Sequence, residues 1–236
     1  MAKLDIAVNE PGMRVFLLGN LAIARGALEA GVRVASAYPG TPSSEILEAI
    51  AGVAPKLGIH AEWSTNEKVA LEVAIGASYA GARAMAAMKH VGVNVALDAL
   101  ATLAYTGVNA GLVLVSADDP GMHSSQNEQD NRLLARFAKI PCLEPYDAQS
   151  AKDYTKAAFE LSEKFQTPVM LRTTTRVSHA KGDVTLGELP DYEKQKPRFV
   201  KDARRYVCVP AHSRALHPVL NNKLAQLEKY ASDSEL

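Results

Sequence analysis

The sequence predicts an α/β fold, a mainly parallel sheet with helices on both faces. Three observations carry that reading. From about residue 14 to 175, short apolar runs alternate with longer segments at helical spacing. Most of the runs are too apolar for a sheet with one wet face. Good helix caps and stops fall between them.

In chain order the expected strands are residues 32–37, 59–64, 83–89, 111–117 and 169–174. The first helix, 21–30, follows Asn20, a residue type that caps helices, and stops at Gly31. Pro42 suits the first turn of a helix running to about Ala51. Asn66 can cap the next, from Glu67 to about Ala80. Further helices are expected at 94–105, 130–138 and 148–165, the last with Ala151, Tyr154, Ala158, Leu161 and Phe165 at helical spacing.

Past Thr175 the composition turns polar. Residues 178–198 hold Gly182, Gly187, Pro190 and Pro197 among many charges, which reads as a linker or arm. A short strand is expected at 205–209, then a helix at 219–230 whose Leu220, Leu224 and Leu227 need a partner surface. The expected division is a first domain over 1–177 and, over 178–236, a polar linker with a C-terminal docking helix.

At 236 residues the chain can bury a continuous core, and 47% hydrophobic with 22% charged residues describes a soluble globular protein. Lys plus Arg and Asp plus Glu both total 26, so no net field would draw the chain to nucleic acid or to an anionic membrane. The opening residues lack the apolar core of a signal peptide, and no apolar run approaches the ~20 residues that span a bilayer. A cytoplasmic location is expected. Cys142 and Cys208 lie far apart with no Cys-x-x-Cys pattern, so no zinc or iron–sulfur site is encoded here.

Four polar segments follow expected strands and so gather at one edge of the sheet, where ligands of open parallel sheets collect. The first, Tyr38-Pro39-Gly40-Thr41-Pro42-Ser43-Ser44-Glu45, is a tight turn into a helix. Free N–H groups there favour a carboxylate or phosphate, and Thr41 adds a hydroxyl; alternatively Thr41 simply caps the helix. The second, Glu62-Trp63-Ser64-Thr65-Asn66-Glu67-Lys68, puts Glu67 in a first helical turn. An acid there complements the helix dipole; a catalytic acid would instead need an apolar pocket, which Leu71, Ala74 and Ile75 could line. The third, Met88-Lys89-His90-Val91-Gly92-Val93-Asn94, places His90 and Asn94 toward the same edge, as structural or site residues. The fourth runs from Asp118 to Asp130 and contains His123, Ser124 and Gln126. Its paired acids beside a His invite a metal reading that no second cluster supports, and its length suits substrate or subunit contact.

The order of Gly19-Asn20, the Tyr38–Ser44 turn, Asn66-Glu67-Lys68, Lys89-His90-Val91-Gly92 and Asp118-Asp119-Pro120-Gly121 resembles the amino-terminal region of indolepyruvate ferredoxin oxidoreductase alpha subunits. These belong to the thiamine diphosphate-dependent 2-oxoacid:ferredoxin oxidoreductases. The resemblance covers about residues 12–180, with a weaker continuation, and implies a pyrimidine-type thiamine diphosphate-binding fold. It implies that Glu67 contacts N1′ of the cofactor's aminopyrimidine and shares a proton there, as the catalytic residue. It further implies that Thr41 binds the substrate carboxylate, and that Pro39, Gly40, His90 and Asn94 line the cofactor pocket. By the same resemblance His123, Ser124 and Gln126 approach substrate or a partner domain. Glycine at position 40 departs from the usual residue of the pyruvate enzymes.

The implied reaction is oxidative decarboxylation of a 2-oxoacid to an acyl-CoA, with coenzyme A as acceptor and electrons passed through iron–sulfur clusters to ferredoxin. The chain lacks a convincing Gly-Asp-Gly-type motif for magnesium and diphosphate and lacks ferredoxin-type Cys clusters. Partners are therefore expected to supply both: a diphosphate-binding subunit or domain holding Mg, and an iron–sulfur subunit. A non-catalytic structural or regulatory subunit is the alternative reading. An unrelated nucleotide enzyme is disfavoured, because neither Gly-x-Gly-x-x-Gly nor a P-loop motif occurs.

Overall fold

The computed structural model describes residues 5–194 and 196–234. Its centre is a six-stranded parallel sheet built from β2 (Val34–Ala37), β3 (His60–Trp63), β4 (Ala84–Lys89), β5 (Leu112–Asp118), β6 (Cys142–Leu143) and β7 (Val169–Thr174), in the order β3-β2-β4-β5-β7-β6. The five expected strands are all present. Their two apolar faces go opposite ways. Met85, Ala87, Val113, Val115, Val169 and Leu171 pack into one core, while Ala84, Ala86, Met88, Leu112, Leu114 and Met170 pack into the other.

Helices α1 (Gly19–Glu29), α2 (Ser44–Leu57) and α6 (Ala148–Phe165) cover the first face. Helices α3 (Glu67–Tyr79), α4 (His90–Thr106) and α5 (Arg132–Ala138) cover the second. Asn66 caps α3 by accepting from Val69 N–H at 3.0 Å. Asp147 and Ser150 form a capping box at the start of α6. Asn20, expected as a cap, lies inside the first turn of α1, where its amide donates instead to Pro42 O (2.7 Å) and to Glu45 (2.8 Å). Helix α2 starts two residues after Pro42 and runs past Ala51 to Leu57, where Gly58 in the left-handed region ends it.

Two strands lie outside the main sheet and were not expected. β1 (Arg14–Leu18) and β8 (Lys181–Thr185) pair antiparallel, with Val15, Leu17 and Val184 buried. The start of the polar stretch is thus a strand. Leu186, Leu189 and Tyr192 beyond it join the core, so residues 181–192 pack as part of the fold and do not form a free linker. The expected boundary after residue 177 falls inside a short helix, α7 (Thr175–His179).

A buried ionic clamp fastens this layer. Arg25 donates to Ile6 O (2.8 Å), Val8 O (2.5 Å) and Gly187 O (2.6 Å) and pairs with Glu29 (2.8 Å); Lys152 and Lys156 approach the same carboxylate at 3.3 and 3.1 Å. Burial alone would raise the Glu29 pKa, but the bonds from Arg25 and Gly187 N–H and the nearby lysines hold it below the usual value.

The strand expected at 205–209 does not form. Asp202 accepts from the N–H groups of Arg204 and Arg205 and caps a helical turn, α8 (Ala203–Tyr206). The last helix, α9 (Pro210–Asp233), is longer than expected and begins on Pro210. Its leucines find their partner within the same chain: Leu220 joins the core beside α4, Leu227 is buried, and Tyr230 packs edge-on against Phe165. Among the described residues no helix is long and apolar enough to cross a membrane.

Candidate functional site

After β2 the chain turns through α2 to the edge strand β3; after β4 it leaves through α4 on the opposite face to β5. Neighbouring strands whose exits diverge open a crevice at their carboxyl ends. The four expected polar segments lie along that edge, and the structure ties three of them together.

The Tyr38–Ser44 turn follows β2. Gly40 N–H donates to Ser44 Oγ (3.0 Å) and Ser43 Oγ to Gly40 O (2.8 Å), so the turn is held by its own backbone and serines. The Thr41–Pro42 peptide is cis, and Thr41 is exposed. Tyr38 and Pro39 are exposed beside it. A Cβ on Gly40 would lie 3.0–3.1 Å from Lys89 Cδ and Cγ, so glycine makes room for the lysine stem.

Glu67 is half-buried at the start of α3, and its carboxylate has no hydrogen-bond or ion-pair partner among the described residues. It lies against the first turn of α4 at Gly92. Leu71 and Ala74, expected to line a pocket around it, are buried in the core under the helix, and Ile75 packs partly buried against them. Helix α4 starts at His90, directly at the end of β4 with no loop between. His90 is fully buried. Its Nε2 lies 3.0 Å from Asn127 O, a group that only accepts, so Nε2 carries a proton and Nδ1 is left without a partner. Asn94 is exposed one turn further along.

The 119–131 loop folds back onto this edge. Asp119 is its hub, accepting from Ser124 N–H (2.8 Å), Ser125 Oγ (2.7 Å) and, from the start of α7, Thr175 Oγ1 (2.8 Å). Burial would raise its pKa, but these donors outweigh it and hold the carboxyl far below the usual aspartate range. Asp118 is tied up separately, by Arg172 Nε (2.8 Å) and Asn131 N–H (3.1 Å), and Arg172 also pairs with Glu144. Both acids are thus committed to protein donors. From the loop, Ser124 O accepts from Lys89 Nζ (3.0 Å) and Ser124 Oγ lies 3.4 Å from Thr41 O.

The structure therefore brings Gly40, Thr41, Ser124 and His90 into one bonded cluster around Lys89 and the 119–131 loop, with Glu67 against α4. It leaves His123, Gln126 and Asn94 exposed, without a side-chain hydrogen bond among the described residues. Sequence reasoning gave Lys89 no role, took Asp119 only as one of two paired acids and took Asn20 only as a helix cap. The signal for Lys89 was a charge ending an otherwise apolar strand; for Asp119 it was the second of two acids opening a Gly-containing loop.

A family model described as pyruvate flavodoxin/ferredoxin oxidoreductase, thiamine diphosphate-binding, matches residues 25–231. The chain belongs to this thiamine diphosphate-binding family. It is 53% identical over 98% of its length to the indolepyruvate oxidoreductase subunit IorA of Archaeoglobus fulgidus, and 57% identical over 95% to that of Pyrococcus abyssi. It spans only 38% and 35% of those relatives. A 2-oxoglutarate synthase subunit KorA of Methanothermobacter thermautotrophicus is 32% identical over 78% of the chain and half of that relative. The fold matches that of a 2-oxoglutarate:ferredoxin oxidoreductase from Magnetococcus marinus, with a TM-score of 0.73 at 18% identity, over 92% of this chain and 45% of that one.

The edge suits the pyrimidine half of the family's cofactor. A ring nitrogen needs a carboxyl group that nothing else has claimed, and Glu67 offers one. No member of the site supplies a dense cationic cradle for a diphosphate. Among the described residues no cluster of three or more His, Cys, Asp or Glu side chains is placed to hold a metal ion.

Proposed function

We propose that this chain is the pyrimidine-binding part of a 2-oxoacid:ferredoxin oxidoreductase of the indolepyruvate type. In this reading the assembled enzyme, cytoplasmic, oxidatively decarboxylates a 2-oxoacid to an acyl-CoA and passes the electrons to ferredoxin. A partner subunit or domain supplies Mg and diphosphate binding, and another supplies the iron–sulfur clusters. When bound, thiamine diphosphate supplies the nucleophilic carbon that adds to the ketone and the electron sink for loss of carbon dioxide.

The observation that carries this reading is the unpaired, half-buried Glu67 carboxylate at the ligand edge of a chain from this family. Glu67 holds and exchanges a proton at N1′ of the aminopyrimidine. Its place at the start of α3 steadies the anion when the proton leaves. Thr41 offers its free hydroxyl to the substrate carboxylate. Pro39, Gly40, His90 and Asn94 border the cofactor, with the His90 ring held by the Asn127 carbonyl. Ser124, with His123 and Gln126, faces substrate or the partner domain.

The test is the assembled complex carrying Glu67→Gln. It should assemble, yet lose most of its indolepyruvate-dependent reduction of an artificial electron acceptor, on the order of 10²-fold or more. Full activity in that variant would instead support a chain serving only as a structural platform.

A further inference from the structure

Lys89 ends β4 at the crevice, after five buried apolar residues, Ala84 to Met88. A half-buried ammonium is costly unless an anion or several acceptors compensate it. Two other cations near this edge are compensated by acids. Arg172 pairs with Asp118 and Glu144, and Lys68 with Asp98; Arg176 on α7 has no ion pair among the described residues but is exposed. Lys89 has no carboxylate within 4 Å among the described residues; its one hydrogen bond goes to a neutral carbonyl, Ser124 O, at 3.0 Å. An ammonium has three N–H donors, so two remain for a ligand.

Space has been made for that ammonium. The missing side chain at Gly40 is replaced by the lysine stem, which lies close enough that a Cβ on residue 40 would meet its Cγ and Cδ at 3.0–3.1 Å. The residue that accepts from Nζ is also the one whose hydroxyl reaches the Thr41 carbonyl, at 3.4 Å. The Lys89 ammonium and the Thr41 hydroxyl, which has no partner among the described residues, are therefore joined through one residue, Ser124.

We propose that Lys89 is a substrate-binding residue whose ammonium, beside Thr41, supplies the positive charge that holds the carboxylate of the 2-oxoacid. The inference rests on the function proposed above and adds to it the group that recognises the substrate's charge. Charge-assisted hydrogen bonds are the strong ones, and Lys89 is the cation bonded to the residue whose hydroxyl reaches Thr41.

The experiment uses the assembled complex with indolepyruvate as the varied substrate and an artificial electron acceptor. Lys89→Gln keeps a donor for Ser124 O but removes the charge, and Lys89→Arg keeps the charge. KM for indolepyruvate should rise roughly 10- to 100-fold in Lys89→Gln, with kcat changed much less, and should return most of the way in Lys89→Arg. Calorimetric binding should report the same split: the wild type prefers the free acid over its methyl ester, and Lys89→Gln loses that preference. An active complex in which Lys89→Gln keeps the wild-type KM and the wild-type preference for the acid overturns the inference and leaves the function standing. A wild-type complex that turns over no 2-oxoacid overturns both.

Discussion

Glu67 rests on Gly92 with no room for even a methyl group between them: a Cβ on residue 92 would lie 2.6 Å from Glu67 Cγ and 2.7 Å from its Oε1. Helix α4 thereby fixes where the carboxylate can be. Gly92→Ala should displace the carboxyl by a sizeable fraction of an ångström while the helix itself tolerates or prefers alanine. The expected outcome is a complex that melts like the wild type but turns over on the order of 10- to 100-fold more slowly, since small misplacements of a reacting group carry large rate penalties. Paired melting curves and steady-state assays check it; wild-type kcat in Gly92→Ala contradicts the positional role.

Asp119 gathers donors from Ser124, Ser125 and Thr175. Asp119→Asn removes the charge and turns one acceptor oxygen into a donor, at a cost of about 1–3 kcal/mol locally. Hydrogen exchange should show the Ser124 amide losing protection while the amides of β5 keep theirs. Because the native carboxyl is held far below its usual range, its contribution is present at all pH values above about 4 and is lost only as pH falls through that lowered value.

Glu29 is the buried carboxylate shared by Arg25, Lys152 and Lys156, and Lys152 also meets Asp153 at 2.8 Å. Glu29→Gln leaves Arg25 and Lys156 without an ion-pair partner among the described residues and should destabilise the chain by about 3–5 kcal/mol, lowering the melting temperature by roughly 10 °C. The wild-type group has its pKa lowered on folding, so its stabilisation is complete above about pH 4.5 and fades as pH drops further. Acid unfolding curves should therefore be shallower in the variant.

Burial, with Arg205 close by, lowers the Lys223 amine on α9 to about 8 from an ordinary 10.5. Between those values the unfolded chain binds a proton that the folded one has released, so stability should rise with pH across this window. Urea midpoints measured at pH 7.5 and pH 9.5 should climb in the wild type. In Lys223→Met the climb should be smaller; an unchanged climb would assign it to other groups.

The central sheet was legible because its strands are apolar on both faces, a pattern that only a doubly covered sheet needs. β1 and β8 were not, because each buries one face and shows the other: Val15 and Leu17 against Arg14 and Phe16, and a lone Val184 in β8. Residues 205–209 carry a strand-like composition, and a capping aspartate three residues upstream overrides it. At the site, turns and helix starts could be placed from sequence alone. The contacts that join them could not: Lys89 meets Ser124 across 35 residues and Asn20 meets Pro42 across 22, through side chains whose partners depend on strand order. The Arg25 clamp was hidden for the same reason, its acceptors lying on both ends of the fold.

The exchange of space between Gly40 and Lys89 has a consequence for redesign. A larger residue at 40 collides with the lysine stem, and a shorter one at 89 leaves a void beside the glycine. A side chain at 40 therefore needs a shorter one at 89, so enlarging residue 40 alone should fail where the matched double change succeeds. Libraries aimed at new substrates should vary them together.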